Sequence, residues 1–222
     1  MNRRHFALAA LALIAAAPVK RAPVPAPIPY TDFPRVALNT ELGTIVLELD
    51  AKHAPVTTAN FLRYVDQKRF DGIVFYRVMH LPYGDPPSGL IQAGVRYDPK
   101  RVLKAIAHEP TSQTGVLHKA GAISMARFAP GTATGDFSIL LSDMPGLDAD
   151  AKNPDPDAAA GYAAFGHIVT GMDVARKIFD APLDPVKGEG VLKGQMLAKP
   201  IHIVTARRAP AAIVAPPAPP SP

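Results

Sequence analysis

The sequence predicts a mostly-β domain whose short strands either close into a barrel or pack as a sandwich. Three observations lead there. Eight short segments of the 222-residue chain are apolar, some alternating and some continuous, as half-buried and fully buried strands read. Only two segments carry the wider spacing of a helix face. The segments are many and brief, and closure of such strands removes vulnerable edges.

RVALNT (35–40) and GTIVLELD (43–50) read as a hairpin turning at Glu41-Leu42-Gly43, because Val46, Glu48 and Asp50 alternate with Ile45, Leu47 and Leu49. APVTTANFLRYVDQK (54–68) reads as a helix. Pro55 suits its first turn, and Phe61, Leu62 and Val65 form its apolar stripe. Strands follow at GIVFYRVM (72–79), LIQAG (90–94), GAISMAR (121–127), DFSILLS (136–142) and AAFGHIVT (163–170). A short helix, MDVARKIF (172–179), precedes the last strand, PIHIVTAR (200–207).

With 48% hydrophobic residues the chain can bury a sizeable core, and its length fits one domain with extended ends. Residues 1–17 have the form of an export signal: Arg3 and Arg4, then an apolar run from Phe6 to Ala17 that is short for a bilayer span. The paired arginines also fit a twin-arginine signal. Ala15-Ala16-Ala17 matches a cleavage site, but Pro18 directly after it disfavours cleavage, so a removed signal and a retained N-terminal anchor both stay open. The expected location is periplasmic or secreted, with membrane association only if the signal is retained.

Residues 18–32 and 209–222 are Ala/Pro-rich, and proline's fixed φ and missing N–H make them an extended linker and a disordered tail. The domain is expected at residues 33–208. There is no cysteine, which excludes disulfides and thiolate chemistry. The net charge of +5 comes partly from the termini, and basic residues elsewhere are scattered without interleaved aromatics, so no nucleic-acid partner is expected.

Within the strand pattern, VFYRVM (74–79) places Arg77 where a buried side chain is expected. A guanidinium is charged at any physiological pH and is almost never fully buried without a partner. A salt bridge or a snorkelling side chain at a strand edge would explain it. The surrounding residues supply another explanation.

The ordered series GTIVLEL, APVTTANFLRYV, FYRVM, LIQAG, GAISMAR, DFSILLSD and YAAFGHIVTGMDVARKI resembles the cyclophilin family of peptidyl-prolyl isomerases over nearly all of residues 35–207. The resemblance implies a closed eight-stranded antiparallel barrel capped by two helices, with a peptide groove on its outside. It implies proline-containing polypeptides or unfolded client proteins as partners and no cofactor or metal. Nothing in the sequence demands an oligomer, and a monomer is expected.

The resemblance also assigns residues. Arg77, in Phe75-Tyr76-Arg77, matches the catalytic arginine, and Gln92, in Leu90-Ile91-Gln92, matches the glutamine that fixes the substrate backbone and helps orient it. Ala126 matches a groove position where a small side chain admits the peptide. Tyr76, Leu90, Arg127, Asp136, Ser138, Leu147 and Tyr162 complete the expected substrate-binding set.

Several positions depart from the family pattern. Tyr76 stands where a histidine is usual, Gly89 where a large apolar residue is usual, and Asp136 and Ser138 where a glutamine and a phenylalanine are usual. Losing an aromatic wall removes ~1.5–3 kcal/mol of apolar contact. Gly146 and Tyr162 stand on the far rim, where many members have an aromatic and a histidine. The loop 80–89 is longer than the family norm, with Leu81 or Tyr83 available to rebuild the pocket wall. Asp136 is expected to pair with Arg77 or Arg127.

Rival chemistries find less support. Asp148, Asp150, Asp155 and Asp157 lack the glycine and closing glutamate of a calcium loop. His108-Glu109 is followed by Pro110, Ser124 lacks nucleophile-elbow glycines, and His167 reads as a satisfied structural histidine. The expected function is therefore prolyl isomerisation in the folding of exported proteins. The alternative is a peptide-binding or chaperone module of the same fold with little or no catalysis.

Overall fold

A computed structural model describes residues 32–210. The strands are β1 (Arg35–Thr40), β2 (Gly43–Leu49), β3 (Ile73–His80), β4 (Gly89–Gly94), β5 (Ala122–Met125), β6 (Phe137–Leu140), β7 (Ala163–Thr170), β8 (Leu183–Asp184) and β9 (Met196–Ala209). The helices are α1 (Pro55–Asp66), α2 (Thr111–Thr114), α3 (Pro156–Ala160) and α4 (Met172–Phe179). The strands run antiparallel in the order β1-β2-β7-β5-β6-β4-β3-β9, and β9 pairs with β1 to close an eight-stranded barrel. The two-residue β8 sits outside this ring, paired with the start of β9.

The barrel interior follows from strand alternation. Val36 and Leu38 on β1, and Ile45, Leu47 and Leu49 on β2, all point inward and are fully buried. On the outer face Arg35 and Glu48 face each other across the pair with a 2.7 Å ion pair. Aromatic rings fill the centre: Phe61 of α1 lies 5.2 Å from Phe137 and 5.4 Å from Phe165, and Tyr64 stacks on Phe70 at 4.9 Å. Helix α1 packs on β7 and β9, and α4 on β2 and β4.

Helix α1 starts at Pro55, as its sequence predicts, but Ala54 gives it no side-chain cap. The buried Glu109 takes over that role, accepting hydrogen bonds from Val56 N (3.0 Å), Thr57 N (2.7 Å) and Thr57 Oγ1 (2.7 Å). A carboxylate there satisfies free N–H groups and complements the positive end of the helix.

Strand β3 explains its own odd sequence. Phe75 and Val78 are fully buried, while Tyr76 and Arg77 are both half-exposed. The register against β4 jumps between Phe75 (opposite Ala93) and Arg77 (opposite Gln92), so Tyr76 is an extra residue. Such a bulge breaks the alternation and puts two consecutive side chains on the outer face. Opposite it, the register against β9 jumps from Ile201 at Phe75 to Met196 at Arg77.

Strands β5 and β6 are shorter than their apolar runs suggest, stopping short of Ala126, Arg127 and Asp136, although Ala126 N still donates to the Asp136 carbonyl at 2.9 Å. Strand β9 is longer, and it takes in Ala209, the first residue of the expected tail. The expected signal, together with nearly all of the expected linker and tail, lies outside the described residues. His167, read as a structural histidine, lies in β7 and is exposed; among the described residues the buried histidine is His118.

Candidate active site

The outer face of β3, β4, β6 and β5 carries a row of polar residues. Arg77 faces Gln92, Gln92 faces Ser138, and Ser138 faces Ser124. Two pockets adjoin along this row. The smaller, about 170 Å³, is walled by Met79, Leu90, Met125 and Leu147, with Ser124 and Ser138 contributing hydroxyls. The larger, about 620 Å³, is lined by Tyr76, Tyr97, Phe128, Asp136, Val191 and Met196. Arg77, Gln92, Ala126, Arg127 and Tyr162 border both. All ten residues expected from the sequence thus line one groove.

Arg77 is held from two sides. Its Nη1 donates to Gln92 Oε1 at 2.8 Å, and its Nε donates to Gln195 Oε1 at 2.8 Å. Nη2 approaches Met79 Sδ at 3.7 Å, a weak acceptor. Of the five N–H groups of a guanidinium, two remain uncommitted. Burial pulls its pKa below the usual guanidinium value, while the neighbouring Tyr76 and Tyr162 oppose that shift. Among the described residues no carboxylate pairs with it, so its charge is not neutralised by contact.

Asp136 does not pair with Arg77 or Arg127, contrary to the sequence-based expectation. It accepts hydrogen bonds from Tyr76 Oη (3.0 Å) and from the Arg96 backbone N–H (3.1 Å). Gly94 makes room for it: with φ at +155°, a Cβ there would lie 2.4 Å from the Asp136 carboxyl carbon. Burial raises the carboxyl above the ordinary range, against the lowering effect of these hydrogen bonds. The same burial, with Asp136 adjacent, raises the Tyr76 phenol well above its usual value. Tyr76 is therefore a neutral donor bound to the carboxylate.

Arg127 turns instead to the acidic insertion, donating to the backbone oxygens of Phe128, Asp157 and Gly161. Its guanidinium lies 4.7 Å from the centre of the Tyr162 ring, which fixes that rim of the groove. Two acidic residues of the insertion serve local structure: Asp155 caps α3 and Asp150 accepts from Lys152 N. A third, Asp148, faces His118.

Tyr83 does not rebuild the pocket wall; it is exposed, and Leu81 packs beside Leu90, Leu140 and Met144 under the loop. Met79, one residue beyond the Arg77-Val78 pair, supplies that wall. Gly89 admits no side chain, since a Cβ would lie 1.9 Å from the Met79 carbonyl oxygen. Gln195 is the residue that sequence reasoning missed. It sits 118 positions from Arg77, in a stretch without periodicity, and only the bulged meeting of β3 and β9 brings the two together.

These features define a β-barrel with an external peptide-sized groove organised around one arginine. The chain belongs to the cyclophilin-type peptidyl-prolyl cis-trans isomerase family, whose model matches residues 35–207. It is 33% identical to peptidyl-prolyl cis-trans isomerase A of Dickeya dadantii over 180 residues, covering 80% of this chain and 85% of that protein. It is also 33% identical to a peptidyl-prolyl cis-trans isomerase of Acinetobacter baylyi over 149 residues, covering 66% of this chain and 72% of the relative. The fold is similar to the crystal structure of a cyclophilin-type isomerase of Cryptosporidium parvum, with a TM-score of 0.63 and 19% identity, covering 81% of this chain and 99% of that one. The same parasite protein has been crystallised in the presence of the dipeptide Ala-Pro, with a TM-score of 0.62 to this chain and coverage of 80% and 99%.

Proposed function

We propose that Arg77 performs the isomerisation by donating a hydrogen bond to the prolyl nitrogen as the X-Pro bond twists. The planar amide resists rotation by nearly ~20 kcal/mol because the nitrogen lone pair is delocalised into the carbonyl. In the twisted state the lone pair returns to the nitrogen, which becomes basic. A donor aimed there stabilises the twisted state more than either planar form. A guanidinium suits this because it cannot lose its proton and its geometry is rigid.

One observation carries the reading: the β3 bulge sets Arg77 on the groove, clamped by Gln92 and Gln195, with two N–H groups uncommitted. The smaller pocket, walled by Met79, Leu90 and Leu147, would take the proline ring, and Ala126 leaves space for the peptide backbone. The basic, apolar N-terminal sequence supports action on exported proteins, outside the cytoplasm, on slow X-Pro folding steps. A monomer suffices, since the groove is complete within one chain.

Exchange NMR on a short Ala-Pro peptide tests this reading. The chain should speed cis-trans exchange, and the peptide should shift the amide signals of Gln92, Ala126 and Tyr162. Shifts confined to the opposite side of the barrel would refute the assignment.

A further inference from the structure

The floor of the smaller pocket carries a hydrogen-bonded chain that isomerisation does not use. His118 is fully buried, with Nε2 2.8 Å from Ser124 Oγ and Nδ1 2.6 Å from Asp148 Oδ1. The same Asp148 oxygen accepts the His118 backbone N–H at 3.0 Å, which holds the carboxylate in line with the ring. Asp148 can only accept, so Nδ1 carries the ring proton and Nε2 presents its lone pair to the serine hydroxyl. Burial lowers the His118 pKa despite the raising effect of Asp148, which favours the neutral imidazole.

A histidine buried for stability needs only two partners of any kind. Here one partner is the hydroxyl of a serine that, though only 3% exposed, lines the smaller pocket. Ser124 lines that pocket, and its neighbour across the β5–β6 pair, Ser138, is equally small. Arg77 and Gln92 line it too and are the donors available to a developing oxyanion.

We propose that Ser124 is a second reactive centre, a nucleophile with His118 as its general base and Asp148 as its orienting carboxylate, which accepts an acyl or phosphonyl group from small esters. Ser124 Oγ attacks the acyl carbon and its proton passes to His118 Nε2. The carbon–oxygen bond to the leaving alcohol breaks, and that oxygen takes the proton from His118. Water then attacks the acyl-serine with the same base, releasing the carboxylic acid and restoring the hydroxyl. No metal, oxidant or further reactant is needed.

The full-length protein is treated with an alkyl fluorophosphonate, in which Oγ displaces fluoride, and the modified residue is located by tandem mass spectrometry. The expected result is one adduct per chain on Ser124, absent in Ser124→Ala. In Asp148→Asn, where the tautomer preference is lost, labelling should be at least ~10-fold slower. With p-nitrophenyl acetate, wild type should release a burst of one equivalent of p-nitrophenolate. Mapping the adduct on wild type decides the matter even if a variant fails to fold. No adduct, or one on any other residue, overturns the proposal.

Discussion

Replacing Gln195 by alanine isolates the support that no sequence pattern announced. The side chain accepts from Arg77 Nε at 2.8 Å and donates to the Val191 carbonyl at 2.8 Å, so it is a braced acceptor. Its backbone carbonyl accepts the Val78 N–H at 2.8 Å, a contact that alanine keeps. Loss of a hydrogen bond to a charged group is worth ~1.5–3 kcal/mol when nothing replaces it. Water can reach the open groove and offsets part of that, which leaves roughly 0.7–1.4 kcal/mol of lost orientation, or a ~3–10-fold fall in kcat/KM. Gln195 touches the arginine and not the substrate in this account, so the loss should fall on kcat, with KM nearly unchanged. Exchange NMR at several peptide concentrations separates the two, and a thermal melt checks the fold. Gln195→Glu should keep Arg77 in place while weakening it as a donor by pairing with its charge. An unchanged kcat in Gln195→Ala, or a loss wholly in KM, would refute the positioning role.

Two further predictions concern stability. The Asp136 carboxyl is raised above its ordinary value of 3.8 by burial, so its folded-state pKa exceeds its unfolded one. Its contribution is then fully present below the unfolded pKa and lost as pH rises through the folded pKa. Asp136→Asn, which can keep an acceptor for Arg96 N–H and a donor toward Tyr76, should be more stable than wild type at pH 7, with the gap closing in acid; an equal gap at both pH values would contradict this. Glu109→Ala strips three hydrogen bonds from the start of α1 at a buried position. It should cost roughly 2–3 kcal/mol, a Tm lower by roughly 4–12 °C; a Tm within about 2 °C of wild type would contradict the capping role.

Local patterns were legible in the sequence, and distant meetings were not. The alternation of Ile45, Leu47 and Leu49 with Val46, Glu48 and Asp50 marked β2, where the first three are fully buried, and Pro55 marked the start of α1. Arg77 stood out because a charge broke an apolar run; the bulge behind it required the register with β4 and β9 to be visible. The partner of Asp136 was misjudged because charge complementarity suggested an arginine, whereas the bulge brings Tyr76 round to the carboxylate and the Arg96 backbone supplies the second donor. In the sequence Glu109 presents itself only as part of a failed metal-binding motif, because its real partners, Val56 and Thr57, lie more than fifty positions earlier. His118 and Ser124 are six residues apart, yet their link to Asp148 depends on the return of a loop thirty residues on.

The central claim is that the Arg77 guanidinium acts on the twisted prolyl amide. The direct test is cis-trans exchange of an Ala-Pro peptide catalysed by wild type, Arg77→Ala and Arg77→Lys. Removing one preorganised donor of this kind typically costs ~100–1,000-fold in rate. Arg77→Ala should lose at least ~100-fold while melting cooperatively. Arg77→Lys, which keeps the charge but cannot hold both Gln92 and Gln195 while addressing the substrate, should recover only a small part. A folded Arg77→Ala variant with wild-type exchange rates would contradict the account.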